Sequence, residues 1–108
     1  MTVNELIDRG GFEALALPDG DREITGVYIG DLLSWVMGRA SSGDAWITIM
    51  SNMNIIAVAT LADTACIIVA EGVTLDKELI DTAFNKDVNI LSSNKSIYEI
   101  AVDLSGLL

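Results

Sequence analysis

Short apolar stretches and helical patterns alternate along most of the chain. Apolar and β-branched residues at strand spacing predict strands over 24–29, 45–50, 65–70 and 88–91. Helical spacing predicts helices over 32–37, 55–62, 75–86 and 96–104. Before these elements the pattern predicts a helix that ends near Arg9 and a short strand over 12–15. The alternation is typical of βαβ units with a largely parallel sheet.

The predicted fold class is α/β: a three-layer α/β/α sandwich with a largely parallel, four- to five-stranded sheet. The stretch 65–70 is apolar throughout, which is typical of a central strand covered on both faces. The 108 residues are the length of one domain, so residues 1–108 are expected to form a single domain.

Capping residues set the predicted helix ends. Thr2 with Glu5, and Ser96 with Glu99, have the spacing of a capping box, in which side chain and backbone cap each other. Two further boundaries rest on single residues, a helix start capped by Thr74 and a helix end at Gly38.

The helix predicted over 55–62 is apolar on nearly all sides, so it must lose its water on more than one side. One explanation is a homodimer in which this helix lies in or directly behind the interface. The other is that the sheet and the neighbouring helices bury it within one chain. We favour the homodimer, because two-fold dimers are the commonest oligomers and the small residues of this helix allow close approach.

The charge balance and the missing residue types exclude several function classes. Lys and Arg number 6 against 16 Asp and Glu, giving a net charge of -10, so nucleic acid and anionic membranes are poor partners. The chain has no His, which removes Ser-His-Asp and Cys-His catalysis and His-ligated metals. A single Cys, no signal peptide and no transmembrane stretch favour a cytoplasmic location.

Few residues suggest chemistry, and no cofactor or metal is expected. Cys66 lies within an apolar strand and is predicted to be a small buried hydrophobic residue. The acidic stretch 19–23 lacks the Gly and Glu of a calcium loop and is interpreted as a solvated turn. Five Met and Trp residues are interpreted as core or interface residues: Trp35, Met37, Trp46, Met50 and Met53.

Small polar residues follow the predicted strands, where ligands bind in open parallel sheets. Helix N-termini at these loops offer free backbone N–H groups to anions. The same residue types cap helices without any ligand, so capping alone and a small-molecule or phosphate-bearing ligand both stay open. The candidate ligand-binding residues are Asp31, Ser51, Asn52, Asn54, Glu71, Ser93 and Asn94.

The segment Asp21-Arg22-Glu23-Ile24-Thr25-Gly26-Val27 resembles the signature of the DRTGG domain family. Segments 28–40 and 43–49 are also similar to small stand-alone members, and the similarity covers nearly the whole chain. Val27 stands where the signature has its second Gly. A turn or ligand that needs a bare backbone at that position is therefore put in doubt.

The resemblance implies a regulatory role. DRTGG domains are similar to the N-terminal domain of HPr kinase/phosphorylase, and they accompany CBS domains in nucleotide-regulated pyrophosphatases. In those settings they are regulatory or dimer-forming, and no catalytic residues are defined for them. Stand-alone members are often encoded near hydrogenase subunits and signalling proteins.

The function expected from the sequence is therefore a non-catalytic regulatory or protein-interaction domain, with a link to hydrogenase or phosphotransfer signalling. An adenine-nucleotide sensor is the alternative, and an enzyme that uses only Asp and Glu is the weakest hypothesis.

The signature residues also have a mechanical interpretation. Arg22 is one of only six cations, so an ion pair with Asp21 or another neighbour is expected. Gly26 lies within a predicted strand, where Gly marks a bulge or the close approach of another backbone. A structural role is favoured over a ligand role for Asp21, Arg22, Thr25 and Gly26.

Overall fold

A computed structural model describes residues 1–108, with five strands in one sheet and helices on both faces. The helices are α1 (Val3–Gly10), α2 (Leu33–Arg39), α3 (Asn54–Ala62), α4 (Lys77–Asn85) and α5 (Ile97–Leu107). The strands are β1 (Glu13–Ala16), β2 (Gly26–Ile29), β3 (Asp44–Thr48), β4 (Cys66–Val69) and β5 (Ile90–Ser92).

The strand order is β1-β5-β4-β3-β2. Strands β2 to β5 are parallel and stand beside one another in chain order. Strand β1 is antiparallel to β5, with Glu13 opposite Ser92. The predicted α/β class is confirmed, with five strands and one antiparallel edge.

Two hydrophobic cores fill the spaces between the layers, because successive strand residues point to opposite faces of the sheet. Ala45 and Ile47 of β3 pack with Leu6 of α1 and Ile100 of α5, so we call this side the α1/α5 face. On the other side Trp46 packs with residues of three helices, the α2–α4 face: Val36, Ile55, Ile56, Val58, Ala59, Leu79 and Ala83. All four residues of β4 are buried, as the apolar stretch 65–70 predicts.

Two helix starts follow the predicted caps. Both capping boxes are confirmed, with the backbone N–H of Glu5 donating to Thr2 Oγ1 at 3.2 Å and that of Glu99 donating to Ser96 Oγ at 3.1 Å. Gly11 ends α1 at a φ of 69°, in the left-handed conformation that glycine adopts easily.

Two predicted helix boundaries are wrong. Asp76, and not Thr74, caps α4, because its Oδ1 accepts from the Leu79 N–H at 2.8 Å while Thr74 lies in the preceding loop. Gly38 lies within α2, which ends at Ala40 in an extended conformation. No left-handed turn is required there, so the glycine does not stop the helix.

The last strand begins two residues later than predicted, and the Val88 N–H donates to the Ala83 carbonyl of α4 at 2.9 Å. The next residue, Asn89, links three segments through its side chain. This buried side chain accepts from the Asp19 N–H at 3.0 Å and donates to the Asp19 and Ala65 carbonyl oxygens at 2.7 and 3.0 Å. It therefore anchors the β1–β2 loop beside the start of β4.

The first strand runs to Ala16, and the last helix continues to Leu107 instead of Leu104.

Candidate functional site

The connections that leave β4 and β5 run to opposite faces of the sheet. The β4 connection leads to α4 on the α2–α4 face, and the β5 connection leads to α5 on the α1/α5 face. Adjacent parallel strands whose connections diverge leave a crevice at their carboxyl ends, where open α/β sheets bind ligands. The helices that follow β2, β3 and β4 share one face, so the only such divergence in the parallel part lies between β4 and β5.

A cleft of about 610 Å³ lies at this divergence. Its lining comes from the two loops, from β1 and its approach, and from α4: Gly11, Glu13, Leu15, Gly72, Val73, Thr74, Leu75, Ile80, Ser92, Ser93, Asn94 and Lys95. Two predicted ligand residues, Ser93 and Asn94, therefore line the cleft, and a third, Glu71, directly precedes the lining residue Gly72.

Backbone hydrogen bonds join the two loops. The N–H of Gly72 donates to the Ser93 carbonyl at 3.0 Å, and that of Glu71 donates to the Lys95 carbonyl at 2.9 Å. Glu71 and Gly72 both have positive φ, 62° and 69°, which forms a tight turn after β4. A Cβ on Gly72 would lie 3.1 Å from Asn94 Oδ1, so the glycine lets the amide approach. The β4–α4 and β5–α5 loops are therefore hydrogen-bonded to each other and form one continuous side of the cleft.

The cleft combines apolar and polar surface. Leu15, Val73, Leu75 and Ile80 supply the apolar part. The hydroxyl and amide groups come from Thr74, Ser92, Ser93 and Asn94. Lys95 is the one cation, and its Nζ lies 2.7 Å from Asp103 Oδ2. This hydrogen bond raises the pKa of Lys95, so the ammonium stays charged. Such a surface suits a ligand with an apolar part and a polar or anionic part.

The other predicted ligand residues do not line the cleft. Asp31 Oδ1 accepts from Thr48 Oγ1 at 2.7 Å and from the Ile49 N–H at 3.0 Å, which ties the β2 and β3 ends together. Asn52 Oδ1 accepts from the Asn54 N–H at 2.9 Å, a local turn before α3. Neither α2 nor α3 has a side-chain hydrogen bond at its N-cap, so these residues do not act as the helix caps that the sequence left open. Ser51, beside them, is exposed.

Several lining residues were missed at the sequence level. Gly11, Glu13 and Leu15 reach the cleft because β1 pairs with β5, and no local pattern indicates which strand is the neighbour of β1. Lys95 could have been found, since it directly follows the predicted Asn94.

The signature residues lie at the opposite end of the sheet. Arg22 Nη1 lies 3.1 Å from Asp63 Oδ1, and Nη2 donates to the Asp63 carbonyl at 2.9 Å. The expected ion pair therefore forms with Asp63 and not with Asp21, whose Oδ1 accepts from Asn4 Nδ2 at 3.3 Å. Hydrogen bonds from Ser42 and then Arg22 lower the pKa of Asp63.

Thr25 and Gly26 contact the same corner of the molecule. Thr25 Oγ1 donates to the Ser42 carbonyl at 3.3 Å. A Cβ on Gly26 would lie 2.5 Å from Asp44 Oδ1, so the group that approaches this glycine is a carboxylate and not another backbone. These contacts favour a structural role for the signature.

Other candidate chemistry is limited. Burial raises the pKa of the Cys66 thiol to about 12, and the interpretation of Cys66 as a buried hydrophobic residue is confirmed. No group of three or more acidic or thiol side chains is placed to hold a metal ion. None of the five helices has the length and apolarity needed to cross a membrane.

Comparison with known proteins gives a structural likeness. No protein-family model and no curated protein sequence matches this chain. The fold is similar to a crystal structure of the CBS and DRTGG domains in the regulatory region of a Clostridium perfringens pyrophosphatase, complexed with the activator diadenosine tetraphosphate. The TM-score is 0.71 at 18% identity over 93% of this chain, which spans 44% of the other chain. This chain therefore has a fold that is found in an enzyme's regulatory region.

Proposed function

We propose that this chain is a non-catalytic regulatory domain and that its β4–β5 cleft binds an adenine nucleotide. The observation that carries the proposal is the cleft at the divergence of the β4 and β5 connections, since such crevices bind ligands in open α/β sheets. The regulatory region with a similar fold was crystallised with a nucleotide activator, which supports this class of ligand.

The chemistry of the cleft favours binding over catalysis. Its one amine, Lys95, has a raised pKa, so it cannot act as a general base near neutral pH. The thiol of Cys66 is buried in the sheet, away from any substrate. Hydroxyl, amide and ammonium groups beside an apolar wall can instead hold the ribose, base and phosphates of a nucleotide.

The size of the cleft agrees with a nucleotide, and salt weakens the long-range repulsion from the net charge. Its volume of about 610 Å³ is within the range of small-molecule sites. The net charge of -10 repels an anion at long range, but salt screens charges separated by more than ~8 Å at physiological ionic strength. Within the cleft Lys95 is the one cation and Glu13 the one carboxylate, so the anionic part of a ligand is expected beside Lys95.

Titration calorimetry and thermal unfolding with diadenosine tetraphosphate, ATP, AMP and adenosine test the proposal. A nucleotide at 100 times its Kd should add ~2.7 kcal/mol to the free energy of unfolding. Asn94→Ala should weaken binding at least tenfold, since it removes an amide of the cleft. The matched control is Asn52→Ala, which removes an exposed amide outside the cleft and should leave binding unchanged.

A second candidate function is a protein-interaction domain that needs no ligand. It is favoured by the exposed apolar side chains of β2 and α2, including Val27, Ile29 and Trp35. No heat of binding and no thermal shift with any nucleotide would overturn the first candidate and leave this one. The expected cytoplasmic location and the link to hydrogenase or phosphotransfer signalling stay predictions of the sequence, and no match points to that link.

A further inference from the structure

The charges of this chain are distributed unevenly between two parts of the fold. Residues 24–62 contain β2, α2, β3 and α3, and we call them the neutral half. They carry only three of the 22 charged residues, Asp31, Arg39 and Asp44. Asp44 is buried, and Asp31 is hydrogen-bonded to the end of β3. Nearly all of the net charge of -10 therefore lies on the rest of the molecule.

The exposed large apolar side chains are concentrated where the charges are few. Eight of the twelve in the chain belong to the neutral half: Val27, Ile29, Leu32, Trp35, Met37, Ile49, Met53 and Leu61. Trp35 and two of the methionines are thus not core residues, whereas Trp46 is fully buried. The one cation of this surface, Arg39, stacks on Trp35 with its guanidinium carbon 3.7 Å from the ring centre. Exposed apolar surface with few charges is typical of an interaction site.

The topology explains why part of this surface is uncovered. Val27 is paired with Ala45 and Ile29 with Ile47, so both side chains point to the α1/α5 face. That face has two helices, whereas the α2–α4 face has three. Strand β2 is also the edge of the sheet, so its outer N–H and C=O groups have no neighbouring strand.

We propose that the neutral half is the interface of a homodimer, with a second copy of this chain seated against the β2 edge and α2. A two-fold axis at this edge places each neutral half against its equal, as an isologous interface requires. It also keeps the acidic parts of the two copies apart. The other 19 of the 22 charged residues lie outside the neutral half, so contact through the rest of the surface would bring carboxylates together.

The available apolar area is sufficient for such an interface. Burying a Val, Leu, Ile or Met side chain is worth about 1.5–3 kcal/mol at ~25 cal/mol/Å², which corresponds to roughly 60–120 Å². Eight large apolar side chains at about half exposure therefore present on the order of 400 Å². A stable interface buries about 800 Å² on each partner, of which just over half is apolar. The neutral half therefore supplies the apolar area that a stable dimer needs.

Helix α3 contributes a narrow strip to this surface. Its own chain buries Ile55, Ile56, Val58 and Ala59, which agrees with burial within one chain for that side. Ala57 and Leu61, four residues apart, stay exposed on the opposite side. The sequence-based prediction that this helix lies in or directly behind the interface now rests on these two residues.

Light scattering and sedimentation of the purified chain test the proposal through its mass. The wild type should have twice the 11.5 kDa mass of one chain at micromolar concentration. Ile29→Lys, at the strand edge, and Trp35→Glu, on α2, should each raise the dimer dissociation constant at least tenfold. Trp35→Glu places a carboxylate four residues before Arg39, a spacing that helices tolerate, so the monomer should remain folded.

Two control variants have matched exposure and charge outside the neutral half. Val102→Lys changes a residue 51% exposed, against 48% for Ile29, and Phe84→Glu changes one 56% exposed, against 52% for Trp35. Both should remain dimeric. If Trp35→Glu lacks the circular dichroism of the wild type, Ile29→Lys decides the question.

A monomeric wild type, or a dimer broken by the controls and not by Ile29→Lys, would overturn the proposal. Both results are independent of nucleotide binding, so this inference and the proposed function can fail separately.

Discussion

Arg22 holds Asp63 by two separate groups, the carboxylate through Nη1 and the main-chain carbonyl through Nη2. The same carbonyl accepts from the Gly43 N–H at 2.9 Å. Asp63 follows α3 in the left-handed conformation, at a φ of 57°. The pair therefore fixes the turn between α3 and β4 to the segment that leads into β2.

Arg22→Ala should lower the free energy of unfolding by about 1 kcal/mol, because the carbonyl of Asp63 loses a charged donor but the pair is partly exposed to water. Arg22→Lys should restore only part of this, since a single ammonium cannot reproduce the planar fork. Urea unfolding of the two variants measures both values. Equal stability of Arg22→Ala and wild type would contradict a structural role for the signature arginine.

The pH dependence of stability should contain a contribution from Asp63. Hydrogen bonds from Ser42 and Arg22 lower its pKa in the folded state below the ordinary 3.8. This contribution is therefore present above pH 3.8 and is lost as the pH falls through the folded pKa.

Asp63→Asn tests this contribution with little change in backbone, because asparagine also tolerates positive φ. From about pH 6 to about pH 3, the variant should lose less stability than the wild type. Ser42→Ala removes one of the two hydrogen bonds, so this variant should also lose less stability than the wild type over the same pH range. If the free energy of unfolding changes equally with pH in wild type and Asp63→Asn, the ionised Asp63 does not contribute to stability.

Two glycine-to-alanine substitutions should have opposite effects. Gly26→Ala places a Cβ 2.5 Å from the buried Asp44 Oδ1 and should cost about 1–3 kcal/mol through crowding. Gly38→Ala adds a methyl group within α2 where no atom lies within 4 Å, and it should stabilise by about 0.5–1 kcal/mol. Thermal unfolding of both variants checks the signs, and two changes of the same sign would refute this account of Gly26.

Cys66 should be inert towards thiol reagents in the native protein. It is 1% exposed, and burial raises the pKa of its thiol to about 12, so almost no thiolate exists near neutral pH. Modification by a disulfide reagent should therefore follow the rate of unfolding and become fast in denaturant. Rapid labelling without denaturant would show that β4 opens locally.

The fold could be predicted from the sequence because the apolar pattern decides it. An apolar stretch such as 65–70 fits a central parallel strand, and the capping boxes at Thr2 and Ser96 mark helix starts by local chemistry alone. The prediction was wrong where two residues could cap the same helix, as Thr74 and Asp76 could for α4. Tertiary contacts then decide which residue is the cap, and the local sequence does not indicate them.

The site could be predicted only in part. Ser93 and Asn94 were found because ligands bind at the carboxyl ends of parallel strands. Asp31, Asn52 and Asn54 satisfied the same rule but lie outside the cleft, because the rule does not say between which strands the connections diverge. Asp31 instead joins the ends of β2 and β3, and Asn52 accepts from the Asn54 N–H. The partner of Arg22 lies 41 residues away, and such a pairing depends on the tertiary fold.

Strand β1 has a single neighbour in the sheet, and that neighbour is the last strand to be synthesised. On the ribosome, β2, β3 and β4 can pair in the order in which they emerge, whereas Glu13 must wait for Ser92. Closing this long loop is the slow, entropically costly step of assembly. The cleft takes residues from β1 and from the loops that follow β4 and β5, so a nascent chain that ends before Lys95 lacks part of its lining. Ligand binding can therefore report that β5 has been synthesised and has paired with β1.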